Sequence, residues 1–141
     1  MRTSGQTVID NVSAPIEQVF ALLTDPVRMA AWLPGCSGIE SAGPLRRGAR
    51  FKARFGPRVT EFEVVDFSPP TTFGWVERGA RVGWKTFFRL DRVTGSTALT
   101  VRDVWAPRSA LAWLRGRLFD RRRVDSQLAQ ILSNVRRLLT A

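Results

Sequence analysis

The sequence predicts an α+β domain: a curved antiparallel β-sheet wrapped around a long C-terminal helix, with two short helices after the first strand. Three observations carry this. Between Cys36 and Trp105, short runs of alternating apolar residues are separated by Gly, Pro and Ser turns, the pattern of a meander. Ile16, Val19, Phe20 and Leu23 recur at helical spacing near the start. The last third repeats Leu, Ile and Val at the same period. With 141 residues the chain makes one domain, 1–141, large enough for a core with an internal pocket.

Each element has a local cause. Thr7–Val12 reads as a short strand with Val8 pointing inward. Ser13-Ala-Pro15 opens the first helix: Ser13 suits an N-cap, Pro15 the first turn, and Glu17 the positive end of the helix dipole. Asp25-Pro26 starts a second helix to about Trp32, stopped by Pro34-Gly35. Strands are then expected at Cys36–Ser41, Arg50–Phe55, Val59–Phe67, Thr72–Arg78, Val82–Leu90 and Thr97–Trp105. Alternation sets their faces. Phe51, Ala53 and Phe55 oppose Arg50, Lys52 and Arg54. Phe73, Trp75 and Glu77 share a face, as do Trp84, Thr86, Phe88 and Leu90, and Leu99, Val101, Asp103 and Trp105. Gly43-Pro44, Gly56-Pro57, Ser68-Pro69-Pro70 and Thr94-Gly95-Ser96 supply turns, and Gly79 and Gly83 bracket a tight connection. In the C-terminal third, Leu111, Leu114 and Leu118 form one stripe. Val124, Leu128, Ile131, Leu132, Val135, Leu138 and Leu139 form another, rotated from the first. That phase change predicts a kink near Phe119–Arg123.

Composition removes much chemistry. There is no histidine and no tyrosine, hence no His-based triad, imidazole shuttle or phenolic acid. The one cysteine, Cys36, excludes an internal disulfide and a Cys-based zinc site, and reads as a structural thiol. No cofactor or metal is expected. The first ten residues lack an apolar signal core, and no run approaches the roughly 18 apolar residues of a membrane span, so a cytoplasmic location is expected. The formal net charge is +10, and all basic residues but Lys52 and Lys85 are arginines. Such a balance admits anionic partners without choosing among them.

At Ser13-Ala-Pro-Ile-Glu-Gln-Val-Phe20, Thr24-Asp-Pro26, Trp32-Leu-Pro34 and Phe67-Ser-Pro-Pro70 the chain resembles the START-like (SRPBCC) superfamily. This helix-grip group includes Bet v 1-like, lipid-transfer START and polyketide cyclase/dehydrase-like proteins. The resemblance spans essentially the whole chain. It implies an elongated cavity between the sheet and the C-terminal helix. From the sheet, the residues expected to line it are Phe51, Phe55, Phe62, Phe73, Trp75, Trp84, Thr86, Phe88, Asp103 and Trp105. From the helix they are Leu114, Leu118, Arg121, Val124, Leu128 and Leu132, with Trp32 and Trp113 at the mouth. The bland alternative is that the aromatics simply fill the core.

Asp103 and Glu77 stand out as carboxylates on inward faces, a placement that is costly unless they are paired or protonated. Each could anchor a ligand, act as acid or base, or pair with an arginine. Arg121–Arg123 form a charge run that reads as a solvated face or a head-group collector, and would gate the pocket where the helix changes phase. The favoured reading is binding of a small hydrophobic molecule with an anionic head group. A polyketide cyclase/dehydrase-type enzyme and a ribosome- or RNA-interacting protein are the alternatives. Oligomeric state is left open.

Overall fold

The computed structural model describes residues 4–78, 83–105 and 126–139. The chain runs β1 (Ser4–Val12), α1 (Ile16–Leu23), α2 (Pro26–Trp32), β2 (Gly38–Ser41), β3 (Arg50–Phe55), β4 (Arg58–Ser68), β5 (Thr72–Glu77), β6 (Lys85–Val93) and β7 (Ser96–Trp105). A C-terminal helix, α3, covers residues 126–139. All strand pairs are antiparallel, and the seven strands lie in the order β1-β7-β6-β5-β4-β3-β2. Strands β2 to β7 form a meander, because short turns join neighbours that pair at once. β1 instead pairs with β7, so α1 and α2 carry the chain from one sheet edge to the other.

The inward face follows the alternation read from the sequence. Phe51 and Ala53 of β3 are buried while Arg50, Lys52 and Arg54 are exposed. On β7, Leu99, Val101, Asp103 and Trp105 are all buried. α3 lays Leu128, Ile131, Leu132 and Val135 onto this face. Its register is fixed by Asn134 Nδ2, which donates to the Trp32 carbonyl at 3.0 Å, and by Arg136 Nη1 against Asp10 Oδ2 at 3.0 Å. Gly74 of β5 permits close cover from the outer face: a Cβ there would sit 2.6 Å from the Phe87 ring and 3.1 Å from the Thr86 carbonyl.

Among the local boundaries that differ from expectation, three stand near the helices and the β5–β6 connection. Ser13 is not the N-cap of α1. Ala14 N–H donates back to the Val12 carbonyl at 2.9 Å, and this bend delays the helix until Pro15 takes the capping position without a side-chain bond. β2 begins at Gly38 rather than Cys36, because Cys36 N–H closes a turn onto the Leu33 carbonyl at 3.2 Å. β6 is regular from Lys85, preceded by Gly83 at φ +85°. By contrast α2 starts as expected: the Asp25 side chain accepts from Val27 N–H at 3.0 Å, and Pro26 follows. The expected kink at Phe119–Arg123 and residues Gly79–Val82 lie outside the described residues. Among the described residues, no helix is long and apolar enough to cross a membrane.

Candidate functional site

Antiparallel register stacks inward side chains into cross-strand rows, and three successive rows change character along β4 to β7. The first row is fully apolar: Phe73, Phe88 and Val101 stand opposite one another. Phe73 and Phe88 stack at 5.8 Å between centroids, and both are essentially unexposed. The next row, Val64, Trp75, Thr86 and Asp103, introduces polarity. The third, at the strand ends, holds Phe62 and Glu77, followed by Trp84, whose carbonyl accepts from Glu77 N–H at 2.8 Å. Glu77, Thr86 and Asp103 are only 4%, 6% and 5% exposed.

Apart from the fully buried Val64, these last two rows form the wall of a cavity of about 100 Å³. Opposite them, α3 contributes Gln127, Leu128 and Ile131, and the turn after α2 contributes Leu33 and Pro34. Phe55 and Arg58, at either end of the β3–β4 turn, complete the rim. The Arg58 guanidinium lies 5.6 Å from the centre of the Phe55 ring, a cation–π contact at an exposed position.

Inside, Asp103 is held from two sides. Thr86 Oγ1 donates to Asp103 Oδ1 at 2.6 Å, and Trp84 Nε1 donates to Asp103 Oδ2 at 3.1 Å. Thr86 of β6 is the direct cross-strand partner of Asp103, and Trp84 immediately precedes that strand. Trp84 is itself backed by Trp105, face to face at 4.6 Å and 7°. The carboxylate therefore has a fixed orientation, since the side chains that grip it are anchored to one strand and one ring stack.

Of the residues expected from sequence, Phe55, Phe62, Trp75, Trp84, Thr86, Asp103 and Leu128 line this cavity together with Glu77. Phe51, Phe73 and Phe88 lie deeper, in ring-on-ring contact with Trp75 and one another, and fill the core. Trp105 stands behind Trp84. Trp32 is not at the mouth. It is fully buried between Trp75 and Phe88, and its Nε1 donates to the Leu22 carbonyl at 3.3 Å, which ties α2 to α1. Leu114, Leu118, Arg121, Val124 and Trp113 lie outside the described residues. Leu33, Pro34, Arg58, Gln127 and Ile131 were not anticipated. The Pro34-Gly35 helix stop is the one sequence signal that marked a segment near them.

The sequence matches the family model described as polyketide cyclase/dehydrase and lipid transport over residues 5–140. The chain belongs to this family. Its α+β helix-grip architecture is the START/Bet v 1-like fold of the SRPBCC proteins. Solved structures agree in fold. DynU16, from the dynemicin biosynthetic locus, superposes with a TM-score of 0.75 at 23% identity over 97% of this chain. This chain spans only 47% of DynU16's length. The Aha1 dimer from Colwellia psychrerythraea gives 0.70 at 20% identity, covering 99% of this chain and 96% of that one. Protein NE0264 from Nitrosomonas europaea gives 0.77 at 14% identity, covering 96% and 94%. No curated protein matches the sequence.

Proposed function

We propose that this polyketide cyclase/dehydrase-family protein binds a small hydrophobic molecule in the cavity between the sheet and α3. One observation carries the reading: three nearly unexposed polar side chains, Glu77, Thr86 and Asp103, sit in a cavity wall that is otherwise aromatic and aliphatic apart from the exposed Arg58 and Gln127. Ligand pockets have this composition, apolar walls with a few polar groups that fix orientation. At about 100 Å³ the space suits a compact molecule or one end of a longer one; a cavity of about 150 Å³ accepts a benzene ring. Arg58 at the rim supplies a cation for an acidic end. Native mass spectrometry of the purified protein, against a denatured control, tests this. A small-molecule adduct lost on denaturation is the expected result. A bare chain mass, with no adduct after incubation with cell lipid and polar-aromatic extracts, would remove the reading.

A second reading has its own support. Glu77 and Asp103 place two carboxylates on one enclosed wall, the minimum for moving a proton between two points of a bound poly-β-ketone. Cyclase/dehydrase chemistry then predicts that Asp103→Asn abolishes turnover in a folded protein. Unchanged turnover would take Asp103 out of such a mechanism.

A further inference from the structure

A second concave surface lies at the far end of β3 from the cavity. The connection between β2 and β3, residues 42–49, borders an open groove of about 730 Å³. Arg46, Arg47 and Arg50 line it, and among the described residues its lining holds no acidic side chain and no aromatic ring. The three arginines differ in their partners. Arg50 is committed: its Nη1 lies 3.2 Å from Glu61 Oε1 and its Nη2 lies 3.4 Å from Glu63 Oε1. Arg46 and Arg47 are exposed, and neither guanidinium meets an acceptor among the described residues. The backbone that carries them is held in place. Leu45, the residue before the pair, is buried in the core. Ala49 N–H closes a turn onto the Arg46 carbonyl at 3.0 Å. Gly48 takes φ +87°, a region that favours glycine, and its N–H donates to the Val64 carbonyl at 2.8 Å. Val64 N–H in turn donates to the Ala49 carbonyl at 2.9 Å. A loop pinned on both sides of two unpaired arginines places their charges before a ligand arrives, which lowers the ordering cost of binding.

From this pair we propose that the groove binds a phosphomonoester group, carried by a soluble ester or by a lipid headgroup. One guanidinium fork satisfies a single carboxylate with two parallel N–H bonds. Two forks side by side hold more donors than one carboxylate can accept, whereas a phosphomonoester brings three terminal oxygens and a charge of about −1.5 to −2. Arg46 and Arg47 repel each other in a groove without an acid, and such an anion relieves both at once. With no ring in the described lining there is no platform for stacking a base, so the phosphate itself is the group recognised. The groove stands apart from the ligand cavity, since Arg50 and Phe55 lie at opposite ends of β3, and either site can exist without the other.

Isothermal titration of the whole chain with glycerol 3-phosphate and with succinate, at one ionic strength, tests the assignment. The expected result is at least fivefold tighter binding of glycerol 3-phosphate. Arg46→Ser and Arg47→Ser should each weaken it about fivefold, the order of one exposed ion pair. Arg54→Ser removes an equal charge from the exposed face of β3 outside the groove, and should change binding less than twofold. The double variant Arg46→Lys/Arg47→Lys keeps the charge without the forks, and should bind at least threefold more weakly than wild type. Flotation with phosphatidylcholine vesicles, with and without phosphatidate, separates the two sources. Capture by phosphatidate vesicles that Arg46→Ser abolishes assigns a lipid headgroup; binding of glycerol 3-phosphate without capture assigns a soluble ester. Absence of glycerol 3-phosphate binding overturns the proposal. So do equal binding of succinate and an Arg54→Ser loss as large as that of Arg46→Ser. The wild-type comparison of the two anions decides the question even where a variant fails to fold.

Discussion

Replacing Thr86 by valine isolates the bond that fixes Asp103. Valine keeps the volume and β-branching of threonine and fits a strand at least as well. It deletes the 2.6 Å hydroxyl bond to Asp103 Oδ1 and nothing else of comparable size. Hydrogen bonds to charged groups contribute about 1.5–3 kcal/mol, more so where the acceptor is buried, so a loss of about 2 kcal/mol is expected. A urea slope of about 1.5 kcal/mol/M converts this to a midpoint lowered by about 1.3 M. Thr100→Val is the control. Thr100 lies on the opposite, half-buried face of β7, and its change should stay within about 0.5 kcal/mol, or about 0.3 M. Equilibrium urea denaturation followed by tryptophan fluorescence reads both. A Thr86→Val midpoint within about 0.3 M of wild type would refute the claim that this bond holds a buried carboxylate in place.

Three further outcomes follow from the packing and its surface contacts. Gly74→Ala puts a methyl 2.6 Å from the Phe87 ring and 3.1 Å from a backbone oxygen, so it should cost about 1–3 kcal/mol in thermal or urea melts; restoration by Gly74→Ala/Phe87→Leu would locate the clash. Asn134→Ala removes the bond from α3 to the Trp32 carbonyl and should cost about 1 kcal/mol while raising amide exchange across 126–139. Arg136→Ala removes an ion pair with more than a third of each side chain exposed, so its effect should stay below about 1 kcal/mol and fade with added salt.

The faces of the strands were legible because alternation has a period of two and the sheet has one buried side. Phe51 with Ala53, and Leu99 through Trp105, turned inward as their spacing required. Depth was not legible. Phe88 and Thr86 share a face of one strand, yet one seals the core and the other borders the cavity. What separates them is distance along the strand from α3 and the α2 turn, a tertiary quantity absent from local pattern. The same gap hid the rim: Leu33, Pro34, Arg58 and Gln127 meet only when the helix closes on the sheet. Trp32 was misplaced for a related reason. It was expected at the cavity mouth, but its ring reaches inward to Trp75 and Phe88. At Ser13 a capping residue was outcompeted by a bend two residues ahead of the helix.

The pairing of β1 with β7 also sets an order of events during folding. Ser4 is matched to Trp105, a separation close to the full span of the sheet, whereas β3 meets β4 and β6 meets β7 across a few residues. Chain-closure entropy makes the nearby hairpins quick and the distant pairing late. During synthesis the first strand therefore waits, with its ladder unsatisfied, until almost the whole meander has left the ribosome. Only its docking onto β7 brings Asp10 to the place where Arg136 of α3 can reach it. Completion of the sheet and fastening of the helix are in this way one late step, and mutations in β1 should slow folding far less than they speed unfolding.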